Sequence, residues 1–124
     1  MSYAHFSTDC GDYHGLVRDF MGPRPPIVAL CGSTRFRDEF AAVNRDLTLQ
    51  GVIVVAPGVF AHSGDPMTDD DKTLLDDLHK RKIDLADEVF VVNPGGYVGE
   101  STRSEIAYAE ERGKPVRYLV GSPS

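Results

Sequence analysis

Ile27-Val28-Ala29-Leu30-Cys31-Gly32-Ser33-Thr34-Arg35-Phe36 decides the fold. Its first five residues are apolar without a break, the pattern of a strand buried on both faces, and such strands belong to parallel sheets covered by helices. Gly32 then allows a tight turn. Phe36, Phe40, Val43 and Leu47 recur at helical spacing, and Gly51 supplies the stop. Strand, glycine corner and amphipathic helix form one unit, and the chain beyond repeats it. Val52-Ile53-Val54-Val55-Ala56 reads as a second buried strand. A helix is predicted over residues 73–85, with Leu74, Leu75, Leu78 and Leu85 facing inward. Glu88-Val89-Phe90-Val91-Val92 is the third strand. Asn93-Pro94-Gly95-Gly96-Tyr97 leads to a helix starting near Ser101 and ending at Gly113, and residues 116–120 form the last strand. Strands alternating with helices imply an α/β fold with a small parallel sheet and right-handed crossovers. Such sheets bind ligands at the carboxyl ends of their strands.

The 124-residue length suits one domain. We place it at residues 26–124. Residues 1–25 mix Gly, Asp, His and aromatics and end on the stiff Gly22-Pro23-Arg24-Pro25-Pro26, so they are expected to be an arm, partly disordered or packed on a partner. Residues 57–72 are polar and too long for a simple connection, which predicts a functional loop or lid. The net charge of −6 argues against broad nucleic-acid binding, which needs a basic face. Cys10 and Cys31 are too few and too far apart for a disulfide framework, so the cytoplasm is the expected compartment. Neither a signal peptide nor a membrane span is expected.

Two corners carry candidate chemistry. At Gly32-Ser33-Thr34-Arg35 a tight turn, two hydroxyls, free amides at a helix start and a planar cation suit a phosphate. Capping alone would explain the hydroxyls but not an arginine placed against the helix dipole. The corner is neither a Walker A loop nor a dinucleotide fingerprint, since the required Lys and further glycines are missing. At Gly99-Glu100-Ser101-Thr102-Arg103-Ser104-Glu105 glycine, hydroxyls and arginine again meet a helix start. Thr102 and Glu105 also fit a capping box, as strong an explanation of Glu105 as catalysis. His79 has no partner at i+4 to make a zinc pair, and Asp69-Asp70-Asp71 lacks the pattern of a calcium loop, so neither metal nor cofactor is expected. Asp84 is a second acid able to face the pocket.

Residues 84–92, then Gly99, Glu105-Ile106-Ala107-Tyr108-Ala109 and Gly113-Lys114-Pro115-Val116, resemble the nucleoside 2-deoxyribosyltransferase-like superfamily, which includes the nucleoside 5′-monophosphate N-glycosidases. Gly32-Ser33-Thr34-Arg35 is similar to the phosphate loop of the monophosphate-cleaving branch. The resemblance spans roughly residues 27–120. It implies a flavodoxin- or Rossmann-like three-layer sandwich and a homodimer. It also implies hydrolysis of the N-glycosidic bond of a nucleoside 5′-monophosphate. Glu105 would be the nucleophile. Gly32, Ser33, Thr34 and Arg35 would hold the phosphate, with Gly99, Ser101 and Arg103 closing the other side. The family's sugar- and base-handling aspartate falls on His79 here, which makes His79 or Asp84 the candidate acid. A nucleotide-binding protein without catalysis, or a deoxyribosyltransferase, are the alternatives. The position of Glu105 near a helix N-terminus is expected to keep it ionised.

Overall fold

The computed structural model describes residues 24–60, 64 and 66–121. Residues 1–23 of the expected arm, Cys10 among them, and residues 61–63 and 65 of the expected lid lie outside the described residues. The elements are β1 (Ile27–Cys31), α1 (Arg37–Leu49), β2 (Ile53–Val55), α2 (Asp69–Leu85), β3 (Glu88–Val91), a short 3-10 turn (Pro94–Gly96), α3 (Glu100–Glu111) and β4 (Val116–Tyr118). The strands form one parallel sheet in the order β2-β1-β3-β4. This is the flavodoxin-like doubly wound order, and its topological switch point lies between β1 and β3.

The unbroken apolar run of β1 is explained by what covers it. Val28 and Leu30 join Phe40, Val43 and Leu47 of α1 on one face. Ala29 and Cys31 join Ile83 of α2 and Ile106 and Ala109 of α3 on the other. One helix on one face and two on the opposite face make a three-layer α/β sandwich. Each fully buried Val or Leu of β1 contributes about 1.5–3 kcal/mol. Among the described residues no helix is long and apolar enough to cross a membrane.

Two expectations change. β2 is an edge strand, not a strand buried on both faces: Ile53 is 44% exposed and Val54 and Val55 are half-buried. A β-branched run marks a strand but does not give its place in the sheet. On α2, Leu74, Leu78 and Leu85 are exposed and Ile83 is the helix's one buried residue, with Leu75 half-buried. The helix is rotated so that the stripe Lys72, Asp76, His79 and Ile83 faces the cleft and sheet. It also starts earlier than residue 73. Thr68 caps it, accepting from the Asp71 amide at 3.1 Å while the Asp71 carboxylate accepts from the Thr68 amide at 3.0 Å. The three aspartates therefore occupy the first turn, where the helix dipole favours them.

Entry into β1 is fixed by Asp87. Its carboxylate takes two hydrogen bonds from Arg24, at 2.7 and 2.9 Å, and one from the Ile27 amide at 2.8 Å. Arg24 is the main cause that lowers the Asp87 pKa to about 2. A depressed carboxyl pKa stabilises the fold above the ordinary value of 3.8, and that contribution disappears as pH falls through about 2. Asp87→Asn is therefore expected to melt lower than the native chain near neutral pH, with the gap closing in acid. The effect is modest because solvent screens this exposed pair; thermal melts across acidic pH check it.

Candidate functional site

At the carboxyl edge of the sheet, the turns after β1 and β2 and the cleft-facing sides of α2 and α3 enclose a cavity of about 240 Å³. Gly32, Thr34, His79, Ser101 and Glu105 all line it. Residues 73 positions apart in the chain, Gly32 and Glu105, meet here because β1 and β3 are neighbours and each feeds a helix from the same end.

The first corner is a compact turn. The Phe36 amide donates to the Ser33 carbonyl at 3.1 Å. Ser33 Oγ accepts from the Arg35 amide at 3.3 Å and from Arg35 Nε at 3.2 Å. The Arg35 guanidinium lies 4.6 Å above the Tyr97 ring, which itself meets Phe36 edge-on at 5.9 Å. Neither α1, with Phe36 at its N-cap, nor α3, with Gly99 there, has a side-chain capping hydrogen bond. Their leading amides are thus left without side-chain acceptors, the arrangement that suits an anion.

The capping-box explanation of Glu105 does not hold. α3 begins at Glu100, Thr102 is inside the helix and buried, and Glu105 sits in the second turn. Its Oε1 lies 3.6 Å from Nε2 of His79, with the two side chains only 13% and 11% exposed. The same Nε2 is 3.3 Å from Sγ of Cys31, which is fully buried at the end of β1. Burial sets the charge states of these groups. It raises the Glu105 pKa from 4.5 to about 8, reinforced by the negative charge of Asp76. It lowers the His79 pKa to about 4, reinforced by Lys82 and opposed by Asp76. It pushes the Cys31 thiol well up. The expectation that the helix N-terminus holds Glu105 ionised gives way here, because desolvation outweighs the dipole one turn inside the helix. Near neutral pH the carboxyl is therefore protonated and the imidazole neutral.

The remaining sequence candidates, Ser33, Arg35, Gly99, Arg103 and Asp84, are not among the cavity-lining residues. Ser33 orients Arg35. Arg35 packs on Tyr97, and Gly99 lies beneath the same ring, since a Cβ at Gly99 would come within 3.3 Å of Tyr97 Oη. Arg103 is exposed. Asp84 is outside the cavity: its carboxylate accepts from the Tyr108 hydroxyl at 2.9 and 3.0 Å and lies 3.4 Å from Arg112. Five residues beyond His79, Asp84 is rotated about 140° around the helix. Three charged residues that the sequence reading passed over, Lys72, Asp76 and Lys82, line the cavity instead. Lys82 also ties α2 to the end of β2 through a 3.0 Å hydrogen bond to the Ala56 carbonyl. Their signal was present: Lys72, Asp76 and His79 recur at helical spacing, a polar stripe beside the leucines.

Fold and cavity together define a doubly wound parallel α/β protein with a cleft at its switch point. Comparison with protein-family models, with curated proteins and with solved structures yields no match for the chain.

Proposed function

We propose that the protein hydrolyses the N-glycosidic bond of a nucleoside 5′-monophosphate, in the manner of the nucleoside 2-deoxyribosyltransferase-like enzymes it resembles. One observation carries this: the Glu105 carboxyl, in contact with His79, opens on the same cavity as Gly32, Thr34 and Ser101. This supports a reading in which Glu105 is the reacting acid and the turns beside it hold the phosphate.

The proton on the Glu105 carboxyl gives the chemistry its order. Transfer from Glu105 to His79 produces a carboxylate beside an imidazolium, a step that burial of both groups opposes in the free protein and that bound substrate has to drive. The carboxylate oxygen attacks C1′ as the bond from C1′ to the base nitrogen breaks. The bonding electrons leave with the base, which takes the His79 proton. Water then attacks C1′, the bond to Glu105 breaks, and the water's proton returns to the pair. Grip on the remote phosphate supplies orientation. Transfer to a second base would differ only in the acceptor. Binding without cleavage is favoured by one observation, that burial keeps Glu105 protonated near neutral pH in the free protein. In the same proposal the chain is a cytoplasmic homodimer, for which exposed Leu74 and Leu85 offer apolar surface.

A chromatographic panel of ribo- and deoxyribonucleoside 5′-monophosphates and their nucleosides tests the proposal. Free base is expected from a monophosphate and much less from its nucleoside. Binding with no base released from any substrate would establish the non-catalytic alternative. Arg35→Ala is expected to shrink the preference for the monophosphate by about tenfold or more, the scale of one hydrogen bond to a charged group. The ratio of kcat/KM for the nucleotide and its nucleoside checks it.

A further inference from the structure

Cys31, His79 and Glu105 come from three different elements, β1, α2 and α3, yet their Sγ, imidazole nitrogen and carboxylate oxygen all lie within 4.8 Å of one another. Hydrogen bonding explains this convergence only in part. His79 Nε2 has Sγ at 3.3 Å and Oε1 at 3.6 Å, and a ring nitrogen offers one proton or one lone pair, not both. Two partners thus compete for one valence. A cation at the centre of the trio would engage all three atoms at once. Two of the spacings agree with that: around tetrahedral zinc, neighbouring S, N and O ligands stand about 3.3–3.6 Å apart, given the usual bond lengths, while Sγ and the carboxylate oxygen lie within 4.8 Å of each other.

We propose that these three side chains form a binding site for a borderline-soft divalent cation, zinc above all. A thiolate, an imidazole and a carboxylate suit Zn²⁺ and disfavour Mg²⁺ and Ca²⁺, which take oxygen ligands. Three protein ligands leave one position open. That position falls on the cavity side, since His79 and Glu105 line the cavity and Cys31 lies behind them. Binding sends the thiol and carboxyl protons to solvent and leaves thiolate and carboxylate on the metal. Sequence spacing hides the site because no two ligands share an element. Resting on the glycosidase proposal, occupancy has a regulatory consequence: metal-bound Glu105 cannot attack C1′, so zinc switches base release off.

Co²⁺ is the probe. Titrated into the metal-free chain, it is expected to give the visible bands of a tetrahedral ion and a near-ultraviolet thiolate-to-cobalt absorption. Zn²⁺ abolishes both, and Mg²⁺ leaves them. Cys10→Ser keeps the ultraviolet band and Cys31→Ser removes it. His79→Ala and Glu105→Gln each weaken binding by more than about tenfold. X-ray absorption of the zinc-loaded native chain needs no variant and is expected to show one sulfur among nitrogen and oxygen ligands. A band that survives Cys31→Ser, a sulfur-free shell, or an octahedral cobalt spectrum overturns the site. Metal binding by a chain that releases no base when metal-free supports the site and overturns the glycosidase. Base release untouched by saturating Zn²⁺ overturns the switch.

Discussion

Glu105→Gln is expected to lower base release by about 10³-fold or more, because the amide neither attacks C1′ nor exchanges a proton with His79. The same change is expected to stabilise the fold in alkali. Burial raises the folded pKa of Glu105 from 4.5 to about 8, so the fold favours the protonated acid. That contribution is complete below 4.5 and is lost as the pH rises through about 8. Glutamine cannot ionise and keeps it. The variant should therefore melt above the native chain at alkaline pH and close to it in acid. A buried acid that costs stability and is needed for turnover is the signature of a functional site. Turnover left intact in the variant would remove Glu105 from the chemistry. Melting curves that coincide in alkali would show that burial does not set its charge. Kinetics and thermal melts on one preparation measure both.

Gly32→Ala is expected to destabilise the fold by about 3 kcal/mol, lowering the melting temperature by roughly 10 °C. Two causes combine. Gly32 has φ +153°, where a side chain is strained, and an added Cβ would stand 2.5 Å from the Val92 carbonyl oxygen and 3.2 Å from Phe40 Cζ. The oxygen cannot retreat, because Val92 is tied to β1 by a 2.7 Å hydrogen bond from its amide to the Cys31 carbonyl. Relief requires β1 and β3 to separate at the switch point, which also spreads the cavity. Gly95 is the control. It too has a positive φ, +66°, but open space around its Cβ position, so Gly95→Ala should cost only about 1 kcal/mol. Equal losses at both positions would show that close packing at the switch point is not the cause.

The fold was legible because its signals are local. The apolar run of β1, the spacing of Phe40, Val43 and Leu47, and the stop at Gly51 each follow from neighbours in the chain, and alternation of elements is enough to imply the parallel sheet. The order of strands is a long-range property, so β2 read as buried although it lies at an edge. The rotation of α2 differs from expectation for a related reason. Periodicity shows that its leucines share a face, but only tertiary packing decides whether the leucine stripe or the polar stripe meets the sheet. The site inherits that difference. Residue type and resemblance single out Glu105 and His79; Asp76 and Lys82 join the site only through the rotation of the helix, which periodicity does not fix. Asp84 is a candidate as the nearby acid able to replace the aspartate that the resemblance implies, but its bonds to Tyr108 and Arg112 hold it outside the cavity. The charge state of Glu105 was out of reach from sequence, since the depth at which a carboxyl lies is fixed by the three elements around it.

The central claim is that Glu105 is the group that meets the sugar. Intact-protein mass spectrometry of the chain quenched during turnover of a nucleoside 5′-monophosphate tests it most directly. The predicted result is a mass increase equal to one phosphosugar, mapped by peptide digestion to Glu105 and absent in Glu105→Gln. A phosphosugar on any other residue, or base release that continues undiminished in Glu105→Gln, would contradict it.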